Sequence, residues 1–206
     1  LKLDNGWSVG GSLGGGCASE RPFASVDETA GNASIDARVP WRPHFTWLLG
    51  VHYSSLGEIP FPLPLAALVY DPGPHFQLAV GMPLVLHWRP TDRLEVSASY
   101  GLLRMVHTQV SYRLAGSLRL HTGFDWDSQR FFRHDRSDSD ARLWYYEKRV
   151  SAGIGWEFMP QVSLDVSGGY AFNRVWFEGE DYSDRRLNRI DLKDGPFAAL
   201  RLLVRF

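Results

Sequence analysis

Residues 143–158 read LWYYEKRVSAGIGWEF, and their alternation is the strongest signal in the chain. Trp144, Tyr146, Val150, Ala152, Ile154, Trp156 and Phe158 share one parity, with Lys148 the exception. Tyr145, Glu147, Arg149, Ser151, Gly153, Gly155 and Glu157 share the other. Successive strand side chains point to opposite faces, so this period of two predicts a long strand with one apolar and one polar face. Working outward, Val162, Leu164, Val166, Tyr170 and Phe172 alternate with Ser163, Asp165, Ser167, Gly169, Ala171 and Asn173. Leu94 to Leu102, Leu118 to Trp126 and Ala198 to Phe206 do the same, and no long segment reads as an amphipathic helix. The fold class expected is all-β and antiparallel.

The polar parity is rich in Gly, Ser and opposite charges such as Glu147 and Arg149, while Trp88, Trp126, Trp144, Trp156 and Phe158 stand near strand tips on the apolar parity. A lipid-facing band between aromatic girdles gives that distribution, and the expectation is a transmembrane β-barrel rather than a soluble sandwich. Short connections marked by Pro40-Trp41-Arg42-Pro43, Asp71-Pro72-Gly73-Pro74, Arg89-Pro90-Thr91-Asp92, Met159-Pro160-Gln161 and Ala115-Gly116 read as tight turns. Longer polar segments at 127–140 and 179–195, with a milder one at 17–31, read as loops on the opposite rim. Candidate strands at 2–14, 31–39, 44–55, 64–70, 75–81, 84–89, 93–102, 104–113, 115–126, 141–158, 162–178 and 196–206 make a barrel of about twelve. The count falls to ten if Gly81-Met82-Pro83 is a bulge inside one strand and the boundary near Leu103-Arg104 also fails. Pro60, Pro62 and Pro64 lack ladder donors and predict a stiff connection.

Composition narrows the function. With 206 residues and a formal net charge of -1, the chain has room for one domain, 1–206, and gives no bulk electrostatic case for nucleic acid. It opens Leu1-Lys2-Leu3-Asp4 without Met or a basic-then-apolar segment, so further N-terminal sequence is expected upstream. No apolar run approaches the about 18 residues of a transmembrane helix. The single cysteine, Cys17, excludes an internal disulfide and reads as incidental. No phosphate loop, no His-Glu-x-x-His and no Gly-x-Ser-x-Gly occurs, so no cofactor and no metal is expected. The acidic group Glu178, Glu180, Asp181 and Asp184 does not match calcium-loop spacing and reads, with Arg185, Arg186 and Arg189, as a solvated loop.

The terminal strand, Leu200, Leu202, Val204 and Phe206, resembles the C-terminal signal strand of bacterial outer-membrane proteins. That resemblance implies that Phe206 is an assembly signal read by the barrel-assembly machinery. The segments Leu63-Pro64-Leu65 through Tyr70-Asp71-Pro72 and Arg89-Pro90-Thr91-Asp92-Arg93-Leu94 loosely resemble a poorly characterised group of small outer-membrane barrels, which implies no defined activity. On this reading the protein sits in the bacterial outer membrane, against lipid and lipopolysaccharide, with envelope proteins as further partners.

Turning the polar parity inward gives a lumen lined by Asp36, Arg38, Arg89, Glu95, Arg113, Arg119, His121, Glu147, Arg149, Glu157, Asp165, Arg201 and Arg205, with His52, His87 and Asp125 beside them. Two readings follow: a wet lumen acting as a small-solute pore, or a lumen plugged by ion pairs in a structural, anchoring barrel. A third is a membrane-embedded lipid hydrolase using Ser111 with His107 or His121, against which stand the ordinary abundance of serine on such faces and the missing nucleophile motif.

Overall fold

In a computed structural model of the chain, residues 1, 3, 4, 6–19, 29–56, 59, 61–101, 105–132, 141–180, 182–186 and 188–205 are described. They form thirteen strands: β1 (Ser8–Cys17), β2 (Thr29–Arg42), β3 (Phe45–Ser54), β4 (Leu63–Gly73), β5 (Phe76–Met82), β6 (Leu84–Thr91), β7 (Leu94–Tyr100), β8 (Val106–Ala115), β9 (Leu118–Phe131), β10 (Arg142–Met159), β11 (Val162–Gly179), β12 (Arg189–Leu192) and β13 (Gly195–Val204). A 3₁₀ turn at Tyr182–Arg186 precedes β12. The antiparallel, all-β character follows the alternation. Each strand pairs antiparallel with the next from β1 through β12.

The closed barrel does not form. The sheet is an open meander in which β11 shares one edge between two strands: Arg174–Phe177 pairs with β12, and Val162–Ala171 pairs with β13. Among the described residues β1 pairs with β2 alone, and part of its outer edge is already occupied. Leu1 donates to the Val9 carbonyl at 2.8 Å and accepts from the Val9 N–H at 2.9 Å. Beyond the other end of β1, Ser19 forms an isolated parallel bridge with Phe132, whose N–H meets the Ala18 carbonyl at 2.8 Å. Spanning hydrocarbon with strands requires closure, because an edge leaves backbone groups without partners. The open edges therefore remove the basis for the pore, for the anchoring barrel and for the membrane hydrolase. They equally remove it for the outer-membrane location and for lipid, lipopolysaccharide and assembly machinery as partners. No described helix is long and apolar enough to cross a membrane.

Local corrections have local causes. The break near Gly81-Met82-Pro83 separates two strands, as the twelve-strand count expects, but β5 runs through Gly81 and Met82 and only Pro83 stands between it and β6. Pro40 and Pro64 sit inside β2 and β4, paired with Thr46 and Val51, so those prolines do not end the strands. The turn after β2 falls instead at Pro43-His44, where His44 takes a φ of 66°. β9 runs on to Phe131 through residues expected to be loop, so Asp127 belongs to a strand. Residues 20–28 and 133–140 of the expected loops lie outside the described residues, as does Phe206.

Burial is concentrated at one end of β10 and β11. Trp144, Tyr146 and Phe177 are buried and stack with ring planes within 8° of parallel. The Arg130 guanidinium lies 4.4 Å from the Trp144 ring and donates to the Leu56 carbonyl at 2.8 Å, tying this cluster to the end of β3. Trp144 is thus a core residue and not part of an exposed aromatic girdle. Lys148, the exception to the alternation, places its ammonium 4.6 Å over the ring of Trp126, its cross-strand neighbour. The rest of the apolar face is open: Val150, Ile154, Trp156 and Val166 are 44–51% exposed.

Candidate functional site

The polar parity of β6 to β11 and β13 lines one cavity of about 770 Å³. Cross-strand register arranges its charges in rows. The lowest row runs Arg113 on β8, Arg119 on β9, Gly155 on β10, Asp165 on β11 and Arg201 on β13. Arg205 and Glu157 line the cavity beside it. Arg113, Arg119, Arg201 and Arg205 make no ion pair with the described residues; no oxygen of Glu157 or Asp165 comes within 4.0 Å of them.

The next row carries Ser111, His121, Gly153 and Ser167. The His121 ring reaches diagonally across β10 and bonds Asp165 Oδ2 through Nε2 at 2.7 Å. It can do so because position 153 has no side chain. A Cβ there would stand 2.7 Å from His121 Cε1 and Nε2 and from Ser167 Cβ. Gly153 on the polar parity of β10 is therefore a notch over which the His121 ring of β9 passes. Gly155 is less constrained, since a Cβ there would stand 3.3 Å from Asp165 Oδ2 and an ordinary 3.7 Å from the Arg119 guanidinium. The side chain of His121 is only 9% exposed.

At the upper end the charges pair among themselves. Arg149 bonds Asp127, and its Nε lies 3.3 Å from Glu147 Oε1. That second approach is an ion-pair contact but not an aligned hydrogen bond, and the nitrogen is buried without another partner. Tyr145 donates its hydroxyl proton to Glu147 Oε2 at 2.5 Å, and Arg174 donates to the Tyr145 oxygen at 3.3 Å. His107 stands 2.9 Å from Asp125 and 3.6 Å from Asp127. Burial, followed by the hydrogen bond to the Glu147 carboxylate, holds the Tyr145 phenol above its ordinary range, against the pull of Arg174. Burial opposes the charge of Arg149, but the Asp127 hydrogen bond and the Glu147 carboxylate outweigh it and hold the guanidinium above its ordinary range.

Arg174 enters this network through a bulge. Tyr146 pairs with Val175 and Lys148 with Phe172, so Asn173 and Arg174 together face the single residue Glu147. Asn173 has a φ of 51°, and the extra residue reverses the parity of β11 beyond it. The sequence signal is the doublet Asn173-Arg174, two polar residues in succession within an alternating strand.

The predicted lining residues thus separate into groups. Arg113, Arg119, His121, Arg149, Glu157, Asp165, Arg201 and Arg205 gather around the cavity. Glu147 belongs to the upper network. Arg89 and Glu95 pair with each other at 3.4 Å, His87 adding a contact at 3.7 Å. Asp36 and Arg38 stand on β2, away from the cavity, Asp36 fitted against the Cα of Gly10, where an added Cβ would lie 3.1 Å from its carboxylate. Ser111 lies opposite His121, yet no serine hydroxyl bonds His107 or His121, which turn to aspartates instead. Among the described residues no group of three or more His, Cys, Asp or Glu is placed to hold a metal. A smaller hollow of about 350 Å³ between β11 and β12 carries charges already paired, Arg189 with Asp191 and Arg174 with Tyr145.

The class defined by these features is an open antiparallel sheet with a polar, arginine-bearing trough. Residues 1–190 match the family described as "Domain of unknown function (DUF6268)", and the chain belongs to it. No curated protein and no solved structure matches the chain.

Proposed function

We propose that the trough binds a small solute carrying a carboxylate or phosphate group, held by Arg113, Arg119, Arg201 and Arg205. The observation that carries the reading is four guanidinium groups lining one cavity with no ion pair among the described residues. Arg113 and Arg119 stand opposite each other on β8 and β9 as like charges, and a bound anion relieves their repulsion while accepting paired N–H bonds from the planar forks. Asp165 already holds His121, which leaves Glu157 as the nearby carboxylate with no ion pair and a net positive balance at this end. The cavity volume falls in the range of small-molecule sites.

Isothermal titration with inorganic phosphate and with citrate tests the reading. Binding that weakens with salt, and at least about tenfold loss in Arg119→Ala, a step of about 1.4 kcal/mol, is expected. Arg119→Lys should restore only part of it, because an ammonium cannot present the fork. If neither anion binds the wild-type protein at millimolar concentration, the reading fails.

A further inference from the structure

The two open edges of the sheet match each other. Just beyond β13, Arg205 donates its backbone N–H to the backbone carbonyl of Gln161, on the β11 side, at 2.8 Å. By the alternation of an antiparallel ladder, Leu203, Arg201 and Ala199 also turn their backbone groups to β11, and Ala198, Leu200, Leu202 and Val204 turn theirs outward. In β1, Val9 turns its backbone pair to Leu1, so Gly11, Leu13 and Gly15 point the same way, off the sheet. Among the described residues no strand pairs with either outward row. Leu13 is 89% exposed and Leu200 is 72% exposed.

Edges of this kind are normally blunted by charge, proline or a covering segment. Here Leu1 covers only the start of the β1 edge and Pro196 blunts only the start of the β13 edge, leaving an outward row of Gly11, Leu13 and Gly15 in β1 and an apolar one of Ala198, Leu200, Leu202 and Val204 in β13. Both strands are ten residues long. β1 and β11 run in the same direction and β13 runs opposite to β11, so two copies set side by side with their apolar faces aligned bring β13 antiparallel to β1. Setting Leu13 opposite Leu200 also sets Gly11 opposite Leu202 and Gly15 opposite Ala198. That register pairs the outward groups of Gly11, Leu13 and Gly15 with those of Leu202, Leu200 and Ala198, stops at Val9, which Leu1 already holds, and keeps leucine beside leucine on one face and Ser12 beside Arg201 on the other. A slip of one residue would put apolar side chains among polar ones.

We propose that β13 of one copy pairs with β1 of a second copy of this chain, through a head-to-tail edge contact in this register. The contact is heterologous, so it generates either a closed ring or an open series of copies. It is independent of anion binding in the trough.

The test uses two chains, both with Cys17→Ser, one carrying Leu13→Cys and the other Leu200→Cys, differently tagged and mixed. Directly opposed strand positions lie about 5.5 Å apart at Cα, within disulfide reach. Mild oxidation should give a covalent heterodimer in the mixture, well above homodimers in either chain alone. Light scattering should give wild-type mass of two chains or more. Leu200→Pro removes only an outward N–H and should lower that mass to one chain with the circular dichroism spectrum retained. Leu202→Lys, which keeps the backbone intact, should do the same. A wild-type mass of one chain, or no disulfide in the mixture, overturns the proposal. So does a Leu13→Cys/Leu200→Cys chain that closes on itself as a monomer.

Discussion

The two ends of the polar face use the same kinds of residue to opposite effect. At the upper end, Asp127 and Glu147 answer Arg149 and Arg174, and Tyr145 closes the network. At the lower end four arginines face Glu157 and an Asp165 that is already committed to His121. A partly buried charge needs a partner, so the first arrangement supplies its own and holds β9, β10 and β11 together. The second has a cationic surplus available to something from outside. Balance over the whole face conceals an imbalance along it.

Breaking the upper network should have the largest effect on stability. Glu147→Ala leaves Arg149 and Arg174 without a shared carboxylate whose side chain is 11% exposed. Because both arginines are about a third exposed, the loss should be about 2–3 kcal/mol rather than the full penalty of a wholly buried pair. Urea denaturation measures it, and a wild-type midpoint would show that the network holds nothing together. Gly153→Ala should come next, at about 1–3 kcal/mol, since the new methyl must displace the His121 ring or the Ser167 side chain. The histidine ring resonances of wild type and variant would show whether the bond to Asp165 is lost.

Arg119→Ala sharpens the contrast from the other side. It should change stability by no more than about 0.5 kcal/mol, since the Arg119 guanidinium makes no hydrogen bond or ion pair with the described residues, while anion binding falls. A destabilisation as large as that of Glu147→Ala would mean that the lower row is structural as well.

The smallest expected effect is a dependence on alkaline pH. The folded state holds the Tyr145 phenol above its unfolded value of about 10. Its contribution is therefore fully present below that value and is lost as pH rises through the higher folded value. Wild-type stability should fall as pH rises above about 10 by a margin that Tyr145→Phe lacks, as followed by denaturant midpoints on either side of that value. Equal slopes in the two proteins would place the titrating group elsewhere.

Much of the site was legible at the level of faces. The alternation of β9, β10, β11 and β13 put Arg119, His121, Arg149, Asp165 and Arg201 on one side of the sheet, where they line one cavity. Arg174 was missed because its position depends on the bulge at Asn173, and a single inserted residue reverses every side chain beyond it. Asp127 was missed because a polar run at a strand end reads as a loop, whereas pairing with Glu147 on β10 keeps it in β9. Closure was misjudged for a different reason. Alternation, aromatic placement and turn lengths are the same for a closed barrel and for an open sheet of the same strands.

The sequence alone determined the antiparallel strands, their two unlike faces and most of the turns between them, because these depend on the side-chain period and on residues within a few positions of one another. Only the tertiary structure decided which charges meet, where the arginine surplus lies and how the sheet ends. Those outcomes depend on register between strands and on edges that lie far apart in the chain. The registers of β8 to β11 and β13 set the first two, and the division of β11 between β12 and β13 sets how the sheet ends.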